Sequence, residues 1–420
     1  MMQPSNSAPR LLVHEQTDSV SAEFDGGDAI GWILGFDPSD VSFLDDVLGR
    51  HVLHCKDARK TRFSGTVSSD ALGRVLGTFG LSLPQVRVVR FDRPVKRSEY
   101  SWGGLVDPMR VGRLFAEGST VIFEALHDRH EPLRRLCAAL AAQAGTRAQT
   151  NIYLTPPDSQ GFKPHWDTHD VFVMQVEGSK RWRIYDGGCE LPVASQTFDL
   201  EKHGPGSVEA EFEVSAGDVV YIPRGIMHAA ETRDEASLHV TLGMIAYPWA
   251  EFLGQCLGEL VLRDSRWRED LPFGFVADAE SGFSAVEAEL RNRLAALADE
   301  IDVEAVLLQK LDDVGAAFRP RASDYLAQSM HAEHLEPGDS VRCRPGLHYR
   351  MEKRDGRVLV FSSGRQLDFP DVAEKTVAAV LNGGPVAAGA IADGLDWSGR
   401  KAVLETMIRE GILVRPQEQS

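Results

Sequence analysis

The stretch KPHWDTHDVFVMQVEGSKRWRIYD, residues 163–186, decides the fold and the chemistry of this chain. It begins with two side chains that commonly bind metals, His165 and Asp167, placed two residues apart. A run rich in apolar residues follows, turns at Gly178, and continues as a second alternating run that contains Lys180. Alternation on both sides of a glycine turn predicts two antiparallel strands joined by a tight hairpin.

The same period-two pattern extends over residues 150–247. TNIYLTP (150–156), VEAEFEVSAGDVVYIP (208–223) and ASLHVTLGMIAYP (236–248) all have the composition of strands separated by Gly, Pro and Asp turns. Many short strands at close spacing predict an antiparallel barrel or a two-sheet jelly roll.

His165 and Asp167 form the start of a metal-site hypothesis. Residues i and i+2 of a strand point to the same side, so both side chains can converge on one point. His228 follows another strand and a Pro-x-Gly turn, and can supply a third ligand. Two imidazoles and one carboxylate leave open positions and suit non-haem Fe(II) and oxygen chemistry. A structural zinc would require four protein ligands, and no fourth is evident.

Lys180 shares a strand face with Trp182 and Ile184, which makes that face the inner one. A buried lysine is costly without a carboxylate partner, and 2-oxoglutarate bound to the metal would provide one. The alternative is a solvent-facing lysine in the hairpin. Asn151 and Tyr153 share the polar side of their strand and can line the same pocket, or can be ordinary hydrogen-bonded strand residues. His239 is expected to be a satisfied barrel residue.

Composition narrows the class of protein. The 420 residues carry a net charge of −17, which disfavours a general nucleic-acid or membrane surface and is compatible with a basic protein partner. Five scattered cysteines without a C-x-x-C pair indicate a reducing compartment, here the cytoplasm. No apolar run has the length of a membrane span. Residues 1–28 have the composition of a disordered leader.

Two further regions follow the strand-rich one. Residues 249–335 are helical in pattern, with Leu290, Leu294, Leu297 and Ile301 at helical spacing; such a stripe can mediate dimerisation. Residues 336–420 combine strand-like and helical segments and predict a winged-helix-like domain. Its 12 basic and 11 acidic residues from 338 onward are too balanced for a DNA surface.

The stretches 151–185, 217–230 and 237–243 resemble the JmjC-type cupin-fold ribosomal oxygenases. The resemblance implies an α+β protein with a double-stranded β-helix core in residues 29–248, whose motifs cover 150–245. It implies a homodimer formed through residues 249–335. It also implies iron ligation by His165, Asp167 and His228, with Lys180 on the distal carboxylate of 2-oxoglutarate. Asn151 and Tyr153 would lie beside co-substrate or substrate.

The function implied is that of a dioxygenase that uses Fe(II), 2-oxoglutarate and O2 to hydroxylate a side chain in a protein, possibly a ribosomal protein. Two alternatives remain open at this point. One is a tailoring hydroxylase of a ribosomally made peptide natural product. The other is a non-catalytic cupin-like binding protein.

Overall fold

The structure is a computed structural model that describes residues 10–16, 21, 23–196, 198–275, 279–317, 324–382, 384–392 and 394–415. The chain divides into two compact units, residues 1–246 and 247–420. Within the described residues, every helix is too short or too polar to cross a membrane.

Unit 1 holds thirteen strands and five α-helices among its described residues, with short 3₁₀ and π turns between them. The strands are β1 (Leu11–Glu15), β2 (Val52–Lys56), β3 (Val86–Val89), β4 (Ser101–Trp102), β5 (Leu105–Val106), β6 (Thr120–Glu124), β7 (Ala148–Thr155), β8 (Asp170–Glu177), β9 (Ser179–Gly188), β10 (Val208–Ser215), β11 (Val219–Ile222), β12 (Ile226–Glu231) and β13 (Ser237–Met244). The helices are α1 (Ala29–Leu34), α2 (Ser69–Thr78), α3 (Pro108–Ala116), α4 (Glu131–Ala144) and α5 (Leu200–His203).

Two sheets form the core of unit 1. The larger has eight strands in the order β1-β2-β11-β8-β13-β7-β6-β3, and the smaller has the order β10-β9-β12. All neighbouring pairs in both sheets are antiparallel except β1 and β2. A buried apolar cluster joins side chains of both sheets, including Val171 and Val173 on β8 and Trp182 and Ile184 on β9. The predicted jelly-roll architecture is therefore confirmed.

The prediction of a hairpin between β8 and β9 is wrong: the two strands lie in different sheets, and the tight turn at Gly178 carries the chain from the larger sheet to the smaller one. Gly178 adopts a positive φ of 65°, and a Cβ at this position would collide with the carbonyl oxygen of Ala236. Beyond this turn, Lys180, Trp182 and Ile184 are buried, as their alternation predicts.

The outward side of β9 is held by ion pairs. Arg183 bridges Glu211 on β10 and Glu231 on β12, both at 2.7 Å. Because β9 lies between these two strands, the network ties the smaller sheet together across its outer face.

The prediction of a disordered leader over residues 1–28 is wrong for part of that range. Residues 11–15 form β1, which pairs in parallel with β2 from Leu11↔Val52 to Glu15↔Lys56. The backbone groups of β1 thereby gain partners at the edge of the large sheet, which a polar composition does not reveal. Residues 1–9, 17–20 and 22 lie outside the described residues.

Asp218 connects the turn before β11 to the end of β2. Its carboxylate is buried and accepts hydrogen bonds from the backbone N–H of Asp57 (2.9 Å) and of Ser215 (3.0 Å). It also lies 3.1 Å from Nε2 of buried His54. One side chain therefore satisfies three polar groups where the strands of the large sheet meet.

Unit 2 begins with helices and continues as a mixed region. Its helices are α6 (Trp249–Arg263), α7 (Ala279–Glu300), α8 (Val303–Ala317), α9 (Tyr325–His331), α10 (Glu374–Asn382) and α11 (Trp397–Arg409). Its strands are β14 (Ser340–Cys343), β15 (Tyr349–Arg354), β16 (Arg357–Ser362), β17 (Arg365–Pro370), β18 (Val386–Ala387) and β19 (Leu413–Val414). They form two three-stranded sheets, β18-β14-β19 and β15-β16-β17, over one buried apolar core.

Replacing Asp218 by alanine is expected to lower the free energy of unfolding by about 2–4 kcal/mol. The substitution leaves the buried N–H of Asp57, the N–H of half-buried Ser215 and His54 without their acceptor. An unsatisfied group costs about 1–3 kcal/mol where it is buried and less where water can replace the lost partner. Urea unfolding followed by tryptophan fluorescence measures the change. The control is Asp234→Ala in an exposed loop, which should stay within about 0.5 kcal/mol of the parent. Equal stability of the two variants would contradict the role given to Asp218.

Candidate metal centre

Two histidines from different parts of the chain face each other: His228 on β12, and His165 in the segment before β8. The backbone N–H of His165 donates to the carbonyl of His228 (3.0 Å), and the reverse bond measures 2.8 Å. Their ring centroids lie 4.6 Å apart. This reciprocal pair of bonds is that of antiparallel strands, and it fixes the two imidazoles on the same side.

Asp167 completes the cluster, but not from within a strand as predicted: His165 forms an isolated bridge with His228, and β8 begins only at Asp170. The backbone carbonyl of Asp167 accepts from the N–H of Gly225 (2.9 Å), which fastens the loop before β12 against this segment. Gly225 has a φ of 83°, and a Cβ there would collide with the carbonyl of Cys189. The Pro-x-Gly turn therefore needs its glycine in order to bring His228 to the site.

The three side chains present one ligand atom each within 4.8 Å of one another. Oδ2 of Asp167 lies 3.8 Å from Nε2 of His228. In both histidines Nδ1 lies 2.9 Å from a backbone carbonyl two residues earlier, that of Lys163 for His165 and that of Ile226 for His228. Such a bond assigns the proton to Nδ1 and leaves Nε2 as the metal-binding nitrogen.

Electrostatics favour the neutral ligand form of His228. Burial lowers the pKa of this imidazole, and the neighbouring His165 lowers it further. A neutral imidazole is the form that binds metals. Across the part of the chain that the structure describes, these three residues are the one cluster of His, Cys, Asp and Glu compact enough to hold an ion. Three ligands with open positions fit a catalytic metal and not a closed structural site.

Lys180 extends from β9 into the same interior. It is 5% exposed, and its Nζ donates to Oγ1 of Thr155 (2.9 Å), which also lies 3.1 Å from Oγ1 of Thr120. Burial alone lowers the pKa of this amine to about 7, since no carboxylate among the described residues compensates it. The side chain is therefore suited to receive an anionic group from a ligand.

One cavity contains both the metal cluster and the lysine. Its walls combine polar groups that can orient a ligand with apolar groups that exclude water. The lining residues are Thr120, Tyr153, Gly161, Phe162, His165, Asp167, Val171, Val173, Lys180, Trp182, His228, Ala230, His239 and Thr241.

Of the other two predicted site residues, one lines the cavity and the other does not. Tyr153 lines the cavity, and burial raises the pKa of its hydroxyl. Asn151 is half-buried on the same strand and lies outside the set of described residues that line the cavity. The structure thus brings Tyr153, and not Asn151, to the cavity wall.

The expectation that His239 is a barrel residue with satisfied hydrogen bonds is wrong. Its ring stacks on Tyr153 with centroids 4.7 Å apart and planes within 6°, and it lines the cavity. Its buried Nδ1 has no hydrogen-bond partner among the described residues. Burial lowers its pKa well below the usual value. No sequence signal marks His239, because its neighbours in space come from β7 and β9.

Thr120 was not identified from the sequence either. It reaches the cavity because β6 pairs with β7 and places Thr120 beside Thr155. The alternation of Asn151, Tyr153 and Thr155 does point to the contribution of Thr155.

Residues 125–252 match the JmjC domain family. The bifunctional lysine-specific demethylase and histidyl-hydroxylase NO66 of Drosophila yakuba is 28% identical over 347 residues, which are 79% of this chain and 49% of that protein. The protein of the same description from Dictyostelium discoideum is 31% identical over 76% of this chain and 65% of its own length. The chain thus spans about half to two thirds of these relatives.

A solved structure shares the fold. The Escherichia coli ribosomal oxygenase YcfD superposes with a TM-score of 0.51 and 18% identity, over 90% of this chain and 98% of that one. Residues 125–252 therefore belong to the JmjC domain family, and the chain shares the cupin-type fold of this solved structure.

Proposed function

We propose that this protein is an Fe(II)- and 2-oxoglutarate-dependent dioxygenase that hydroxylates an amino-acid side chain of a protein. The observation that carries the proposal is one cavity lined by both a 2-His-1-carboxylate cluster and a buried lysine without a carboxylate partner. A binding protein without catalysis has no need for a costly buried amine beside three metal ligands.

The residues of the cavity would have separate roles in the reaction. His165, Asp167 and His228 would hold the metal, and the backbone bonds of both imidazoles keep each Nε2 oriented toward it. When bound, Fe(II) with 2-oxoglutarate and O2 supplies the oxidising power to insert oxygen into a C–H bond, with release of succinate and CO2.

Lys180 would bind the distal carboxylate of 2-oxoglutarate, with the hydroxyl of Thr155 fixing the position of its Nζ. Trp182 and the valines of β8, Val171 and Val173, keep water from the reacting end of the cavity. Tyr153 and the ring of His239, stacked upon it, close the wall beside the lysine.

The substrate that we propose is a protein, with ribosomal proteins as the first candidates. The NO66 relatives are described as histidyl-hydroxylases and lysine-specific demethylases, and YcfD as a ribosomal oxygenase. The net charge of −17 supports a basic protein partner, the character of most proteins that bind RNA.

The cofactor assignment is tested by anaerobic addition of Fe(II) and then 2-oxoglutarate to the purified chain. We expect a weak visible charge-transfer band of the chelate. His165→Ala should abolish the band, because two ligands hold the metal poorly. Lys180→Ala should weaken 2-oxoglutarate binding about 100-fold, the loss of a buried charge pair.

His334→Ala, an exposed histidine of unit 2, is the matched control and should behave as the parent. A folded parent protein that gives no band would refute the dioxygenase proposal. If the parent protein gives the band, succinate formation with candidate ribosomal proteins identifies the substrate.

A second prediction concerns Lys180 and pH. The pKa of about 7 in the folded protein lies below the ordinary 10.5, so the unfolded chain binds this proton more tightly. Stability without co-substrate should therefore rise as pH increases from about 7 to 10.5. Lys180→Met removes the buried amine and should raise the melting temperature by a few degrees at pH 6.5, with a difference that shrinks toward pH 10.

Differential scanning calorimetry across this pH range measures the effect. Lys202→Met, at an exposed position of α5, is the control and should show no such trend. A lower melting temperature of Lys180→Met than of the parent at every pH would contradict the conclusion that the Lys180 amine is buried without a compensating charge. The same variant should lose 2-oxoglutarate binding, so the gain in stability comes at the expense of function.

We also propose that residues 249–335 form a homodimer interface, that residues 336–420 form a winged-helix-like domain without direct DNA binding, and that the protein works in the cytoplasm. Leu290 and Leu294 on α7 are 54% and 55% exposed, and Leu307 and Leu311 on α8 are exposed as well. Exposed apolar side chains of this kind support the proposal that a second copy of the chain covers this surface. Five free cysteines support a reducing compartment.

The dimer is tested with the double variant Leu290→Glu/Leu294→Glu. Charges in an apolar interface are costly, so a dimeric parent should become monomeric in sedimentation velocity, with an unchanged Fe(II) chelate band. Asn292→Glu, on the same helix, adds a charge without removing an apolar side chain and should remain dimeric. A parent that is monomeric at micromolar concentration would refute the interface.

A further inference from the structure

A second cavity, of about 410 Å³, lies wholly within unit 2 and has no part in the metal centre. One wall is a face of the sheet β15-β16-β17, with Val360 and Ser362 of β16 and Leu367 of β17. Another is the segment from Glu410 to Ile412, which directly follows α11. Cavities that bind small ligands or peptide ends have this size.

The wall includes a buried arginine with an unmet hydrogen bond. Arg344 is 8% exposed. Its Nε donates to the carbonyl of Gly411 (2.9 Å), and its Nη1 donates to Oδ1 of Asp324 (2.9 Å). Its Nη2 is buried and has no acceptor among the described residues. Because a buried donor without an acceptor is unfavourable, a ligand that supplies an oxygen here would be stabilised.

The remainder of the cavity is apolar on one side and charged at its rim. Leu347, Val360, Leu367 and Ile412 supply aliphatic surface. Arg365 pairs with Glu410 at 2.7 Å, but their side chains are 63% and 35% exposed. An ion pair of this exposure contributes little, so Arg365 can exchange Glu410 for a ligand anion at small cost.

We propose that this cavity binds a carboxylate carried on an aliphatic body. The carboxylate would accept from Arg344 and Arg365, and the aliphatic part would cover the leucine, valine and isoleucine side chains. Two sources share this chemistry: a free branched-chain acid, and the C-terminal end of a peptide whose last residue is aliphatic. The site is independent of the proposed dioxygenase activity.

A nucleic acid fits the cavity less well. Four aliphatic side chains offer nothing to a sugar or phosphate, and Glu410 at the rim would repel one. The region from residue 338 onward carries 12 basic and 11 acidic residues, so it has no excess positive charge to attract a polyanion.

The experiment uses the full chain and three probes. They are 4-methylpentanoate, a fluorescein-labelled pentapeptide that ends in leucine with a free carboxylate, and the same peptide amidated at its C-terminus. Fluorescence polarisation measures the peptides, and competition against the labelled acid peptide or saturation-transfer NMR measures the small acid. Lys180→Ala is included in every series, to remove carboxylate binding at the metal centre.

Two variants are expected to weaken binding, one to tighten it, and one to leave it unchanged. Arg344→Lys keeps the charge but cannot offer the same set of N–H groups, and Leu367→Trp fills the cavity without removing a polar group; each should weaken binding at least tenfold. Glu410→Gln frees Arg365 and should tighten binding a few-fold. Arg357→Gln removes a cation from the opposite face of β16 and should change nothing.

Binding of either acid with this pattern supports the site, and the probe that binds identifies the source. Three results would overturn the proposal: no binding of either acid to the folded parent chain, equal binding of the amidated peptide, or binding that Leu367→Trp leaves unchanged. Because Leu367→Trp removes no buried hydrogen bond, its outcome remains decisive even if Arg344→Lys fails to fold.

Discussion

Two backbone hydrogen bonds between His165 and His228 are the constraint on which the metal centre depends. They bring together residues more than sixty positions apart. Asp167 lies in the segment before β8, where its carbonyl accepts from the N–H of Gly225. Gly225 permits the approach by adopting a conformation closed to other residues without strain. The ligand geometry therefore depends on backbone hydrogen bonds: the bridge between His165 and His228, and the bond that fastens Asp167 to Gly225.

The buried amine of Lys180 shows how such a site is maintained at a cost. The rest of unit 1 supplies the stability that a desolvated lysine consumes, through two packed sheets and through the polar anchor at Asp218. Its one described hydrogen bond, to Thr155, holds the amine in place without neutralising it. An anionic co-substrate would thus complete an interaction that the protein leaves incomplete.

The two units repeat this principle with different chemistry. In unit 1 an amine without a carboxylate lines the cavity of the metal cluster, and in unit 2 a guanidinium with one unsatisfied nitrogen lines a cavity with aliphatic walls. In both, a buried donor that the fold does not satisfy indicates the kind of ligand that would satisfy it.

The sequence by itself determined the local features. Period-two alternation predicted the strands of residues 150–247 and the inward side of β9, because these depend only on neighbours along the chain. It did not reveal β1, the unsatisfied ring of His239, or the place of Thr120 beside Thr155. Only the tertiary structure decided these, because strand alternation states which face a side chain occupies but not which distant strand lies beside it.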